Sequence, residues 1–182
     1  MSPTQLGRIP IILIIQRVRC LYRIDRESNS MKLDTLVKED DCDGEFGSMT
    51  ALQNEEDYRL FVGCPDDDTA SGAVYYYKLS ADGKYKASLK QKITAPRPEP
   101  LYKFGNNVAV GGRYSAIGTY RDEAKLHEKV HIFVEWEDSW REVLVIDSPQ
   151  GAIWFGSDID IYDDIIMITS CSQVGTTCIL TI

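Results

Sequence analysis

"FGNNVAVGGRYSAIGTY", residues 104–120, holds two short apolar runs split by a glycine pair, and it opens on Phe-Gly. The dipeptide recurs at Phe46-Gly47 and Phe155-Gly156, so the three phenylalanines are spaced by roughly 50 to 60 residues, a period that decides architecture before any single residue does. The order of events after each copy is also the same. A short run follows, "SMTAL" (48–52), "NNVAV" (106–110) or "SDIDI" (157–161), then a turn in "QNEEDY", "GGRY" or "YDD". A second run comes next, "RLFVG", "SAIGT" or "IIMIT", then a polar loop and a β-rich segment, "GAVYYYKL", "KVHIFVEW" or "TTCILTI". Two units continue into a fourth run that starts on an aromatic residue, "YKASLKQKI" from Tyr85 and "WREVLVI" from Trp140.

Val, Ile, Tyr, Phe and Thr fill these runs, and Gly, Asp, Asn and Pro bound them, which is strand rather than helix chemistry. No window of helical length keeps a period of 3.6, and "DEAKLHEK" (122–129) reads as a loop. The expected fold is all-β, with four strands to a complete unit. "QRVRCLYRID" (16–25) and "MKLDTLVKE" (31–39) match a third and a fourth strand. The chain then divides into an incomplete unit (1–38), two complete units (39–95 and 96–147) and a second incomplete one (148–182). A four-stranded sheet of this size cannot bury both faces alone, so the units must stack. Radial stacking gives a partial β-propeller whose inner strands take small residues near the axis. In that arrangement the phenylalanine wedges between neighbouring sheets, and the glycine lets backbones approach.

The stretches "FGSMTALQNEEDYRLFVGCPDDD", followed by "GAVYYY", and "FGNNVAVGGRYSAIGT" and "FGSDIDIYDDIIMIT" resemble FG-GAP repeats, the units of the propeller in integrin α subunits. "VGCP" (62–65) resembles the family's "VGAP"; "IGTY" and "ITSC" depart from it. The resemblance spans about residues 17–182. It implies a binding or cell-adhesion role, an extracellular or cell-surface setting and about seven blades in a complete ring. Here just over three blades are legible, so the remaining blades of a larger propeller, or self-association, would cover the open faces. The resemblance also implies calcium in the loop between the first two strands of a unit. Asn54, Glu55 and Asp57 in one unit, and Asp158, Asp160, Asp163 and Asp164 in another, are the candidate ligands. Neither loop has the glycine that a calcium loop's sharp turn needs, so a solvated acidic turn is the preferred reading and no cofactor is expected.

Composition narrows the rest. Twenty basic against 28 acidic residues give a net charge of -8, which repels nucleic acid and anionic membranes. The apolar run Ile9–Ile15 is too short to span a bilayer, lacks a signal-peptide cleavage site and reads as a buried strand. Five cysteines leave one unpaired in a monomer. Cys171 and Cys178 could bridge across a hairpin, but free, buried cysteine is the preferred reading. "EDDCDGEFG" (39–47) imitates the start of a calcium loop, yet Thr50 stands where the closing acid belongs, so it reads as an acidic connector. His127 and His131 fall in a loop and a strand and do not make a paired metal site. No phosphate loop, nucleophile elbow or Cys-His arrangement occurs, and Trp136, Trp140 and Trp154 are expected mainly in packing. Two functions remain: a non-enzymatic module that binds a protein or glycan through its loops, and, as the alternative, a carbohydrate-active hydrolase or lyase using paired carboxylates.

Overall fold

Alternating β-branched and aromatic residues put apolar side chains on both faces of a strand, which suits a sheet buried from two sides. A computed structural model describes residues 10–15, 18–25, 30–37, 41–42, 44–54, 58–80, 85–120, 128–163, 165–172 and 180–181, and for 10–37, 171–172 and 180–181 the backbone only. Sheet I contains β1 (Pro10–Ile15), β2 (Val18–Asp25) and β3 (Ser30–Val37). Sheet II contains β4 (Thr50–Asn54), β5 (Tyr58–Cys64), β6 (Ala73–Ser80) and β7 (Lys86–Ile93), in that spatial order. Sheet III repeats the meander with β8 (Asn107–Gly111), β9 (Tyr114–Gly118), β10 (Lys129–Trp136) and β11 (Ser139–Asp147). A two-residue ladder, β12 (Ala152–Ile153) with β15 (Cys171–Ser172), borders sheet IV, which contains β13 (Ile159–Tyr162), β14 (Ile165–Ile168) and β16 (Leu180–Thr181). All pairings are antiparallel. The one helix among the described residues, α1 (Asp67–Ala70), is a four-residue turn in which Asp68 and Thr69 have left-handed φ.

The sheets stack in series. The inner strand β8 lies against β4 on one side and β13 on the other, while the outer strand β7 lies against β3 and β11. They form an open, partial propeller. One irregularity repeats from sheet to sheet: the register slips once between Leu21 and Tyr22 in β2, Tyr76 and Tyr77 in β6, and Ile132 and Phe133 in β10. The N-terminal hairpin β2–β3 thus carries the bulge that marks the outer hairpins of sheets II and III.

Each face has its own core. Phe46, Leu60, Val62, Tyr75, Tyr77 and Leu79 fill the face of sheet II that turns from sheet III. Between sheets II and III lie Phe61, Val74, Tyr76, Phe104, Ile117, Phe133 and Trp140. Between sheets III and IV lie Ala109, Ala116, Val130, Ile132, Phe155, Ile159, Ile161, Ile166 and Ile168. The consecutive tyrosines 75 to 77 alternate between the first two cores, as the two-residue period of a strand requires. At about 1.5–3 kcal/mol for each fully buried large side chain, these seams dominate the stability.

Phe-Gly now has a physical explanation. Phe104 and Phe155 are buried in the seam between their own sheet and the preceding one. Gly47, Gly105 and Gly156 have φ of 77°, 91° and 77°, a region only glycine enters without cost. Each glycine N–H donates to the end of its sheet's second strand: Gly47 to Gly63 O at 2.6 Å, Gly105 to Gly118 O at 3.1 Å and Gly156 to Thr169 O at 2.8 Å. Close approach also constrains the glycines on the receiving strands. A Cβ on Gly63 would stand 2.2 Å from Gly105 O in the next sheet, and one on Gly118 would stand 3.2 Å from Gly156 O.

One disulfide adds to the sequence reading. Cys42, in the acidic connector, is bonded to Cys64 at the end of β5, with Cα atoms 6.4 Å apart. A bridge closing 22 residues removes about 3 kcal/mol of loop entropy from the unfolded chain. The sequence reading assigned this pair no bridge, and their spacing gave no cue to it. The suggested Cys171–Cys178 bridge lies outside the described residues, as do His127 and most of 122–129.

Candidate functional site

The acidic loops were the first candidates. Asn54 ends β4, but Glu55 and Asp57 lie outside the described residues. In the other loop, Asp158 precedes β13, Asp160 lies within it and Asp163 occupies the turn to β14 with φ 57°; Asp164 is outside the described residues. Asp160 Oδ1 accepts the Ile161 N–H at 2.9 Å, and the Asp158 backbone N–H donates to Thr169 Oγ1 at 2.9 Å. Among the described residues no three His, Cys, Asp or Glu side chains converge as metal ligands would.

The structure instead brings residues together at one edge of sheet III, where β8 and β10 begin and β9 and β11 end. Two connectors cross this edge, 96–103 leading to Phe104 and 149–154 leading to Phe155. Each covers a hollow.

The larger hollow, about 440 Å³, is lined by residues including Arg97, Tyr102, Lys129, His131, Glu142 and Asp147. At its base is a chain of three side chains. Tyr102 Oη lies 2.9 Å from His131 Nε2, and His131 Nδ1 lies 2.6 Å from Glu142 Oε2. A carboxylate on Nδ1 fixes the proton there, so Nε2 accepts from the phenol. Phe104 and Tyr102 both meet the imidazole edge-on, at 5.3 and 5.7 Å. Burial pushes the His131 pKa down, more than the neighbouring Glu142 raises it, so the ring is neutral near pH 7. Lys129 Nζ pairs with Asp147 at 2.8 Å. Two of the carboxylates that line the hollow are thus held by a base, and the arrangement orients Tyr102 and locks the connector onto sheet III.

The smaller hollow, about 260 Å³, lies between sheet III and the start of sheet IV and is lined by Asn106, Thr119, Tyr120, Glu128, Trp154 and residues 155–157. Glu128 is only 8% exposed. One of its oxygens accepts the Phe155 N–H, and burial raises its pKa against the lowering effect of that bond. Nearby, the buried Asn107 amide donates to Ser157 O at 2.8 Å and to Gly156 O at 3.3 Å, which fixes the Phe-Gly backbone under the hollow. Trp154 stands at the rim, 55% exposed, on a left-handed backbone with φ 56°.

Of the residues singled out in the sequence, His131 and Trp154 belong here. Trp140 is packed in the seam against Phe61 and Tyr76, as expected, whereas Trp136 and Trp154 are more than half exposed. Glu128, Glu142, Asn106 and Tyr102 carried no sequence signal, because acids and tyrosines are common throughout the chain. No family model matches the sequence, and no curated protein matches it. No helix among the described residues is long and apolar enough to cross a membrane.

Proposed function

We propose that this chain is a set of FG-GAP-like propeller blades with no catalytic role, which binds a protein or glycan through the loops at the β8/β10 edge of sheet III. The observation that carries this reading is the clustering at that edge. Both hollows open there, and the two connectors present Leu101 and Trp154, 57% and 55% exposed, just ahead of Phe104 and Phe155. Large apolar side chains placed on loops over a rigid sheet are a feature of recognition surfaces. The paired-carboxylate alternative is less well supported, because Glu142 is hydrogen-bonded to His131 and Asp147 is paired with Lys129, rather than the two being set facing each other across a cleft.

The test is to apply the labelled full chain to a glycan array and to the surface of cultured cells, beside a Leu101→Ser/Trp154→Ser double variant. Saturable binding on either surface that the variant loses is the expected result. No saturable binding on both, or binding undiminished in the variant, contradicts the reading.

A further inference from the structure

The smaller hollow can be read further. Resting on the binding role above, we propose that it is a subsite for one sugar ring of a glycan, with the ring's C–H face on the Trp154 indole and a hydroxyl donating to Glu128.

Four observations converge. First, Glu128 is more than nine-tenths buried and lines the hollow, yet its carboxylate has one hydrogen-bond partner among the described residues, the Phe155 N–H. Its second oxygen has no partner among the described residues, and an acceptor on a largely buried side chain gains from a donor brought by a ligand. Second, Asn106 lines the same space and its side chain has no hydrogen bond to a described residue, so it has both a donor and an acceptor to offer. Third, Trp154 offers an exposed aromatic face at the rim. Its left-handed backbone costs about 1–2 kcal/mol in a non-glycine residue, and such outliers concentrate at functional sites. Fourth, the volume of 260 Å³ is below the roughly 300–1,000 Å³ of sites for drug-sized ligands. It therefore suits a single ring.

The same residues argue against a cation. A carboxylate beside aromatic rings could hold an ammonium group, but Lys103 Nζ already lies 5.7 Å from the centre of the Tyr120 ring, which lines the hollow. A second cation would meet its charge. A neutral polyol meets no such opposition: it supplies the donors that Glu128 needs and the apolar face that Trp154 can cover. The floor is rigid, because Asn107 holds the Gly156 and Ser157 carbonyls, so little ordering is needed on binding.

The experiment is calorimetric titration of the full chain with methyl glycosides of glucose, galactose, mannose, fucose, N-acetylglucosamine and N-acetylgalactosamine. At least one is expected to bind saturably, with a Kd on the order of 1 mM, as one ring with few contacts would. Trp154→Ala should abolish that binding and still melt with the parent, since the indole is exposed. Glu128→Gln keeps an acceptor for the Phe155 N–H and should weaken binding about tenfold. A panel without a binder, or a Trp154→Ala protein that binds the same glycoside equally well, overturns the subsite. Running Trp154→Ala alone in the cell-surface and array assay separates the two claims. Surface binding by the parent that Trp154→Ala keeps, while the parent binds none of the glycosides, removes the subsite and leaves the loop-edge role standing; a parent that binds neither surface nor any glycoside removes both.

Discussion

The two seams on either side of sheet III use the same backbone device and fill it differently. Between sheets II and III the seam is aromatic, with Phe61, Tyr76, Phe104, Phe133 and Trp140 in contact. It is also bolted by polar bonds: Arg59 reaches Glu135 at 2.6 Å and Gly112 O at 3.2 Å, and Gln91 exchanges two bonds with the Trp140 backbone. Between sheets III and IV the seam is aliphatic except for Phe155 and, partly buried against it, Tyr114. The strands explain the contrast. Three of the rings in the first seam, Tyr76, Phe133 and Trp140, sit on the eight- or nine-residue outer strands of sheets II and III, whereas sheet IV meets sheet III through the four-residue inner strands β13 and β14 and their isoleucines. A Phe-Gly repeat therefore fixes how sheets approach one another and leaves what fills the gap to vary with strand length.

This contrast can be broken at its largest element by truncating the wedge. Phe104→Ala should cost about 4–5 kcal/mol in urea unfolding, near the top of the range for buried phenylalanine, because its ring meets Phe133 and His131. Phe155→Ala should fall near the bottom, about 3 kcal/mol, because alanine and isoleucine can close part of the cavity. Equal losses would mean that the seams do not differ in packing.

The glycines sharpen the same point at a smaller scale. Gly63→Ala places a methyl group 2.2 Å from the Gly105 carbonyl oxygen, and Gly118→Ala places one 3.2 Å from that of Gly156. The first should cost about 2–3 kcal/mol and the second under about 1 kcal/mol, read from thermal melts. The reverse order would show that the aromatic seam is the looser of the two at the axis.

How far the sequence could foresee this differs by feature. The period of Phe-Gly, the two-residue alternation of Tyr75 to Tyr77 and the boundary glycines made the sheets and their stacking legible, because each is a local requirement written into residue type. The candidate site was not legible. The sequence drew attention to visible clusters of aspartate, whereas Glu128, Asn106 and Trp154 come together only when β8, β10 and the 149–154 connector meet at one edge. The Cys42–Cys64 bridge was missed for the same reason: it joins a connector to the end of a strand, a contact set by the path of the chain and not by spacing.

The smallest expected effect concerns pH, and it is confined to the aromatic seam. His131 has a folded-state pKa below its unfolded value near 6.5, chiefly because it is buried. The unfolded chain therefore binds the extra proton first, and His131's contribution is fully present above pH 6.5 and is lost as pH falls through and below it. Stability should decline on acidification from pH 7 to 5.5 by at most about 1.4 kcal/mol per pH unit from this group. His131→Gln should flatten that slope, and Phe155→Ala should not.

The central claim, that Phe-Gly exists so that neighbouring sheets can touch backbone to backbone, is tested most directly by two alanines in sheet III and its lead-in. Gly105 and Gly112 both have positive φ, 91° and 54°, so alanine is strained at both, but a Cβ at 105 would meet Ala73 O of sheet II at 2.6 Å while one at 112 meets nothing within 4 Å. Chemical denaturation of Gly105→Ala and Gly112→Ala should show a loss of about 1 kcal/mol at 112 and a loss at 105 larger by at least about 1 kcal/mol, from forced separation of the sheets. Equal losses at the two positions would contradict the account, since the glycine would then serve its own turn and nothing across the seam.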